Sequence, residues 1–335
     1  PISERPSFAP RNWGGWLALA TVWMMGQIPQ AAGLALSRPL GWLLLRLMRG
    51  RQRVARRNND RCFPEMTDEQ RGQVVRDHFR SLARMLFETA WVWAASEKRL
   101  DSWGRAEDAE HANKLNREGE GVLLLTAHST CLELAGWFAG RSTYKLPWVV
   151  YRPLNSPVLE WYSNLIRERF TGGAISKRVF RSMVSLLEAG GMLWYAPDQD
   201  FGPERSEFVP FFGIQTATLG ALVRLVEKSG CKVVPMFTAF DEKSRKYIAR
   251  FHPPLEDFPS GDIKADLARI NQLMEEHIRV YPAQYWWIHR RFKTRPDGEP
   301  PFYDCSDRRA APCKTSSGFS FCTTSLSSQP RSCAR

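Results

Sequence analysis

His128 is followed five residues later by an acid, Glu133, in the segment TAHSTCLELAG at 126–136. A neutral imidazole with a carboxylate on one nitrogen is a general base near neutral pH, because the carboxylate fixes the tautomer and strengthens the other nitrogen. Five residues along a helix is about 500° of rotation, which puts the two side chains on different faces. They meet only if His128 lies in the turn before a helix and Glu133 in that helix's first turns. The flanking residues supply that arrangement. The apolar run at 121–127 ends directly before His128, and Ser129 or Thr130 can cap a following helix. The carboxyl ends of strands are where open α/β sheets gather their chemistry. Rival readings share the segment. A lone His near an acid is more often structural than catalytic, and Cys131 offers a Cys–His nucleophilic pair, although a thiol inside a helix is more often inert. Metal ligation by His128, Glu133 and an Asp lacks a completing His-x3-His or Cys pair, so neither a metal nor an organic cofactor is expected.

The elements that must position these groups are legible as patterns. Besides 121–127, the runs 148–151, 192–196, 232–237 and 246–251 have strand length. Helical patterns lie near 130–140, 157–169, 178–189, 216–229 and 264–280. Together they predict an α/β fold: a mixed, largely parallel sheet flanked by helices. Thr-x-x-Gln at 67–70 reads as a capping box opening a long helix through about residue 95. Asp198 and Asp200 follow the 192–196 run and are placed to orient arginines or a sugar hydroxyl. Paired acids also suit glycoside hydrolysis, but nothing else in the chain supports it.

The chain has 335 residues, 43% hydrophobic and 24% charged, enough for one large core or two modest ones. Its 12% aromatic content excludes low-complexity disorder over most of the length. A net charge of +12 calls for an anionic partner, and thirteen Trp favour a membrane surface over nucleic acid. No nucleic-acid-binding motif appears. Seven Cys without CxxC spacing suggest a reducing compartment.

Residues 12–37 carry no charge, and 13–28 are densely apolar. Six arginines follow, Arg46, Arg49, Arg51, Arg53, Arg56 and Arg57, with no acid before Asp60. This predicts an N-terminal membrane-anchoring helix beside an Arg-rich flank, with the bulk of the chain cytoplasmic. A span, an interfacial helix and a buried core helix compete for the apolar run. It lacks the pattern of a cleaved signal peptide. Residues 304–335 are rich in Ser, Thr, Cys and Arg, and read as disordered or foreign to the fold. The expected organisation is an anchor and flank at 1–60, a catalytic domain at 61–303 and a tail at 304–335.

TAHSTCLELAG, VYRP (150–153), IRERF (166–170), WYAPDQDFGP (194–203), FVPFFG (208–213) and PAQYWWIHRRFKTRP (282–296) together resemble the lipid A late acyltransferases of Gram-negative bacteria, nearest their lauroyltransferase branch. The His-x4-acid motif alone is shared with the wider glycerolipid acyltransferases. The resemblance runs from about residue 7 to residue 303, so the tail inherits nothing from it. It implies an inner-membrane enzyme with a glycerolipid-acyltransferase-like fold. Such an enzyme takes an acyl chain from acyl carrier protein and esterifies a hydroxyacyl chain of a phosphorylated lipid A precursor. His128, held by Glu133, would be the base, and Arg167 or Arg169, matching the family's Arg-x-Arg, would face the oxyanion. Arg152, Arg290 and Arg291 are candidates for lipid phosphates, which arginine binds bidentately. Two other readings stay open: a glycerolipid-type enzyme acting on a smaller phosphorylated acceptor, and a non-enzymatic basic membrane binder. Acyl-chain length is not legible, because one methylene discriminates by only about 1–3 kcal/mol at a pocket floor.

Overall fold

Three helices, α1 (Trp13–Gly26), α2 (Gln30–Leu47) and α3 (Arg49–Cys62), fold against a long fourth, α4 (Asp68–Ala94), in a computed structural model that describes residues 4–151, 153–176 and 179–303. Arg152 and the tail at 304–335 lie outside the described residues. The expected capping box opens α4: Thr67 Oγ1 accepts from Gln70 N at 3.2 Å, and Gln70 Oε1 accepts from Thr67 N at 2.7 Å. Two of the orphan N–H groups at the helix start are thereby satisfied.

The apolar run at 13–28 does not become one spanning helix. Pro29, which cannot donate, ends it, and α1 and α2 form a hairpin on α4. Fourteen residues of α1 rise about 21 Å, against a hydrocarbon core of about 30 Å. α2 carries Arg38, Pro39 and Arg46 along its length. Among the described residues no helix is long and apolar enough to cross a membrane. The hairpin seats closely because Gly41 has no side chain: a Cβ there would stand 2.6 Å from Arg80 Cα of α4. Its outer face leaves Trp13, Leu17, Trp23, Met24, Trp42 and Leu47 more than half exposed.

After α5 (Glu97–Asp101) strands and helices alternate: β1 (Gly104–Glu107), α6 (Glu110–Arg117), β2 (Val122–Leu125), α7 (Leu132–Ser142), β3 (Trp148–Tyr151), α8 (Pro157–Arg167), β4 (Gly173–Ser176), α9 (Phe180–Glu188) and β5 (Met192–Tyr195). A hairpin, β6 (Ser206–Phe211) and β7 (Ile214–Leu219), precedes α10 (Ala221–Ser229), β8 (Lys232–Asp241), β9 (Lys246–Phe251) and α11 (Ile263–Val280). The seven-stranded sheet has the order β1-β9-β8-β2-β5-β3-β4. β8, β2, β5, β3 and β4 run parallel, while β9 is antiparallel to β8, and β1 follows β9. The mixed, largely parallel sheet flanked by helices is thus as expected, and all five expected strands are in it.

Three features differ from the pattern reading. The four-residue strands β1 and β4 are too short to show a period. Residues 216–219 belong to β7, and the helix expected from 216 starts at Ala221. The β6–β7 turn, Phe212–Gly213, has φ of 51° and 71°, the left-handed pair of a type I′ turn. A bulky Phe where Asn or Asp usually stands conceals that signal.

The sheet separates two cores by simple alternation. Val122 and Leu124 of β2, with Met192 and Trp194 of β5, pack towards Leu134 and Trp137 of α7 and Trp91 of α4. Leu123 and Leu125, with Leu193 and Tyr195, pack towards Leu222 of α10 and Ile270 of α11. Asn58 of α3 donates to Trp287 O at 2.8 Å and His289 O at 3.0 Å, tying the first helices to the segment that braces the site.

Candidate active site

β2 and β5 are neighbours, and their parallel register pairs Val122 with Met192 and Leu125 with Tyr195. Both strands end at that last pair, so residue 128 stands level with residue 198. There His128 meets Asp198: Nδ1 lies 2.6 Å from Oδ1, and the His128 backbone N–H donates to Oδ2 at 3.0 Å. One carboxylate therefore holds both the ring and the turn. The Asp198 side chain is 1% exposed and that of His128 30%. Burial disfavours the Asp198 charge, but His128's charge and hydrogen bonds, with Arg291 beyond, outweigh it and hold the carboxyl at about 2. Burial also disfavours the imidazolium, and again the charge and hydrogen bond of Asp198 prevail, raising His128 above its usual value. An ionised Asp198 can only accept, so Nδ1 carries the proton and Nε2 keeps a lone pair. Gln199 Nε2 stands 3.3 Å from His128 Nε2.

This corrects the pairing read from spacing. Glu133 does lie in the first turn of α7, with His128 in the turn before it. But Nδ1 is taken by Asp198, and Glu133 makes no hydrogen bond to the imidazole among the described residues. Nor do Ser129 or Thr130 cap α7, whose N-cap is Cys131 without a side-chain bond. Ser129 Oγ instead pairs with Thr238 Oγ1 at 2.9 Å. The turn is pinned from outside, as Thr130 N donates to Gln284 O at 2.8 Å and Trp286 N to His128 O at 3.2 Å. The Gln284 side chain is itself locked to the backbone N–H and C=O of Phe240. Cys131 is buried among Ser129, Thr238 and Gln284, and burial, with nearby Glu88, pushes its thiol up to about 11. Among the described residues its hydrogen-bond partners do not include the imidazole, whose Nδ1 is held by Asp198.

His128, Glu133 and Arg167 line one cavity of about 150 Å³ between the sheet and the start of α7. Its remaining walls are mostly apolar, with Leu132, Val149, Phe170 and Trp194 prominent. Of the expected arginines, Arg167 alone among the described ones reaches it. Arg169 donates to Val92 O and Ala95 O at the end of α4 and stacks over Trp137. Arg291 is 1% exposed and donates to Ala217 O at 2.6 Å and Thr218 Oγ1 at 2.9 Å beneath the hairpin. Arg291 is buried away from the slot and Arg169 is turned to the end of α4, so neither lines the cavity that His128 faces. Arg290 is partly exposed over the Tyr303 ring. Asp200 accepts from Gly202 N and from the backbone and hydroxyl of Thr294, joining the loop after β5 to 289–294. Among the described residues no three His, Cys, Asp or Glu are grouped to hold a metal ion.

The orienting role of Asp198 and the contact of Gln199 were missed in the sequence. The available signal was that His128 and Asp198 each stand one or two residues beyond a strand-length apolar run. Nothing local says that those two strands are neighbours.

A family profile described as bacterial lipid A biosynthesis acyltransferase matches residues 3–294. The lipid A biosynthesis lauroyltransferase of Escherichia coli K12 is 34% identical over 295 residues, 88% of this chain and 96% of its own. The palmitoleoyltransferase of that strain is 32% identical, over 90% and 97%, and its myristoyltransferase 29%, over 87% and 90%. Among solved structures, the 1-acyl-sn-glycerophosphate acyltransferase PlsC of Thermotoga maritima is similar with a TM-score of 0.35 and 14% identity, covering 74% of this chain and 95% of that one. That score is too low to relate the two sites. The family match, extending over nearly the whole chain and carried by relatives of almost the same length, makes this protein a member of the bacterial lipid A biosynthesis acyltransferases.

Proposed function

We propose that the protein carries a fatty acyl chain from acyl carrier protein to a hydroxyacyl chain of a phosphorylated lipid A precursor, with His128 as general base. The carrying observation is the 2.6 Å bond from His128 Nδ1 to buried Asp198, which leaves Nε2 unprotonated beside an apolar slot. Nε2 removes the proton of the acceptor hydroxyl as its oxygen attacks the thioester carbonyl. The new C–O ester bond forms, the C–S bond breaks, and the leaving thiolate takes the proton from the imidazolium. Arg167, in the slot wall, faces the oxyanion, a contribution of about 3–4 kcal/mol at most for one donor. Glu133, in the same wall, accepts from the incoming hydroxyl and so places it. Arg290, partly exposed, is the candidate among the described residues for a lipid phosphate. A lauroyl-like donor is the reading favoured by the 34% identical relative.

We further propose attachment to the cytoplasmic face of the inner membrane by the α1–α2 hairpin lying in the interface rather than crossing it. Its exposed Trp13, Leu17, Trp23 and Trp42 form the inserting face, and exposed Arg46, Arg49 and Arg53 adjoin it. Each such Arg contributes on the order of 1 kcal/mol towards anionic headgroups. The other three Arg of the cluster hold the fold: Arg51 donates to Ile288 O, Arg57 to Phe302 O, and Arg56 pairs with Asp60 and Asp68.

The test is direct: the purified protein, an acyl-carrier-protein thioester and a tetra-acylated lipid A precursor, with the product weighed. The precursor is expected to gain one acyl chain, and His128→Ala to abolish the gain. A folded H128A protein that keeps more than a few per cent of the rate refutes the base assignment.

A further inference from the structure

We propose that Trp194 forms the floor of the slot and sets the length of acyl chain transferred, an inference that rests on His128 being the transfer base. The sheet register gives the depth. His128 and Asp198 stand level at one end, and Trp194 lies four residues back along β5, level with Leu124 of β2 and Val149 of β3. Four residues of strand span about 13 Å. Alternation puts Trp194 and Val149 on the face that packs towards α7, so the wall from the base to the indole belongs to one surface.

The floor itself is an accommodation between two residues. Trp194 is 9% exposed, and the edge of its six-membered ring abuts Gly136 of α7. A Cβ at 136 would come within 2.6 Å of Cζ3 and closer still to Cη2, so any side chain there must drive the indole upwards. Gly136 stands one turn beyond Leu132 and Glu133, both of which line the slot. The indole thus occupies the space that an α7 side chain would fill, and it closes the slot below Leu132 and Phe170. A chain whose carbonyl is held at His128 must end where this ring begins. Its methyl end meets an indole wedged edge-on against the helix, which cannot yield by a rotamer change as a Leu or Met floor would. In a hydrophobic pocket one methylene too many discriminates by roughly 10–200-fold.

Three variants assayed against a panel of acyl-carrier-protein thioesters from decanoyl to palmitoyl test this, with competing donors and the product weighed. Trp194→Leu is expected to move the preferred donor to a longer chain, raising the ratio of long to formerly preferred product about tenfold. Trp194→Phe should move it the same way by less. Gly136→Ala, pushing the ring into the slot, should move it to a shorter chain. Variants that keep the original order of chain lengths, with all rates lowered together, overturn the proposal. A second readout does not need transfer: fatty acids brominated at the terminal carbon, titrated against tryptophan fluorescence. Quenching that is lost in Trp194→Phe should appear only once the chain is long enough to reach the floor. Quenching in the wild type that is independent of chain length removes Trp194 from the floor. Absence of transfer with intact length-dependent quenching would condemn the catalytic reading and leave the slot standing.

Discussion

Replacing Asp198 by Asn keeps the volume of the side chain and removes its charge, and the structure says what that change must do. Asp198 serves two donors of one residue, the His128 backbone N–H at 3.0 Å and Nδ1–H at 2.6 Å. An amide cannot serve both. If Asn Oδ1 accepts from the backbone, Nδ2 faces the ring and bonds only to a lone pair on Nδ1, so the imidazole proton moves to Nε2, the atom that must accept. If the amide flips, Nδ2 opposes a buried N–H, and the unmade bond costs about 1–3 kcal/mol. The first arrangement makes both bonds and wins. The reacting tautomer must then be reached without a charge-assisted hydrogen bond worth about 1.5–3 kcal/mol. At about 1.4 kcal/mol per decade this alone is roughly 10- to 150-fold, and weaker base catalysis brings the expected loss in kcat to about 10²–10³-fold. The pH profile supplies the sign. Asp198 raises His128, so the wild-type rate climbs with pH through that raised value as the base loses its proton. Without the carboxylate, burial is unopposed and lowers the imidazole, so the rising limb shifts to lower pH while the plateau falls. The assay is acyl transfer measured by product mass across the neutral range, with thermal unfolding as the control for folding. Glu133→Gln, which touches no atom of the imidazole, should leave the limb where it is. A D198N enzyme within threefold of wild type, with an unmoved limb, refutes the assignment of Asp198.

Cys131→Ser should retain most activity, and the wild-type thiol should resist alkylation near pH 8 until the protein unfolds, because burial holds it at about 11. An acyl group trapped on Cys131 and found by mass spectrometry would overturn direct transfer. Arg84→Met removes the 2.9 Å partner of Glu88 from a pair in which both side chains are 1% exposed. Burial already holds Glu88 up at about 7, so its lost partner should cost about 3–5 kcal/mol in denaturant unfolding above that pH and less below it, and a loss under about 1 kcal/mol well above pH 7 would mean that Glu88 is not held as a charge. Changing Trp13, Trp23 and Trp42 together to Ser should leave binding to anionic vesicles at low salt but allow release as ionic strength rises, since only the arginine attraction is screened. Unchanged salt resistance in flotation would show that the hairpin face does not insert.

Much of this architecture is local and therefore legible. The five long apolar runs, the capping box at 67–70 and a histidine at a strand end follow from periods and from short-range hydrogen bonding. The turn at Phe212–Gly213 escaped because its left-handed φ falls on a Phe, a residue that carries no turn signal. The break of the apolar segment into a hairpin was foreshadowed by Pro29. That its inner face would lie on α4 was not, since seating Gly41 against Arg80 is a contact between helices.

The chemistry divides along the same line. Local pattern alone put His128 just beyond a strand and acids and arginines beyond others, and the blocks around them carried the family. Which acid holds the histidine was decided only when β5 docked beside β2 and brought Asp198 across 70 residues to Nδ1. Which arginines reach the slot was decided when Arg169 was tied to carbonyls at the end of α4 and Arg291 was buried beneath the hairpin. Periodicity reports which face a side chain takes within its own element. Strand order and burial arise from contacts between elements distant in the chain, and only these set the partner of an ionisable group.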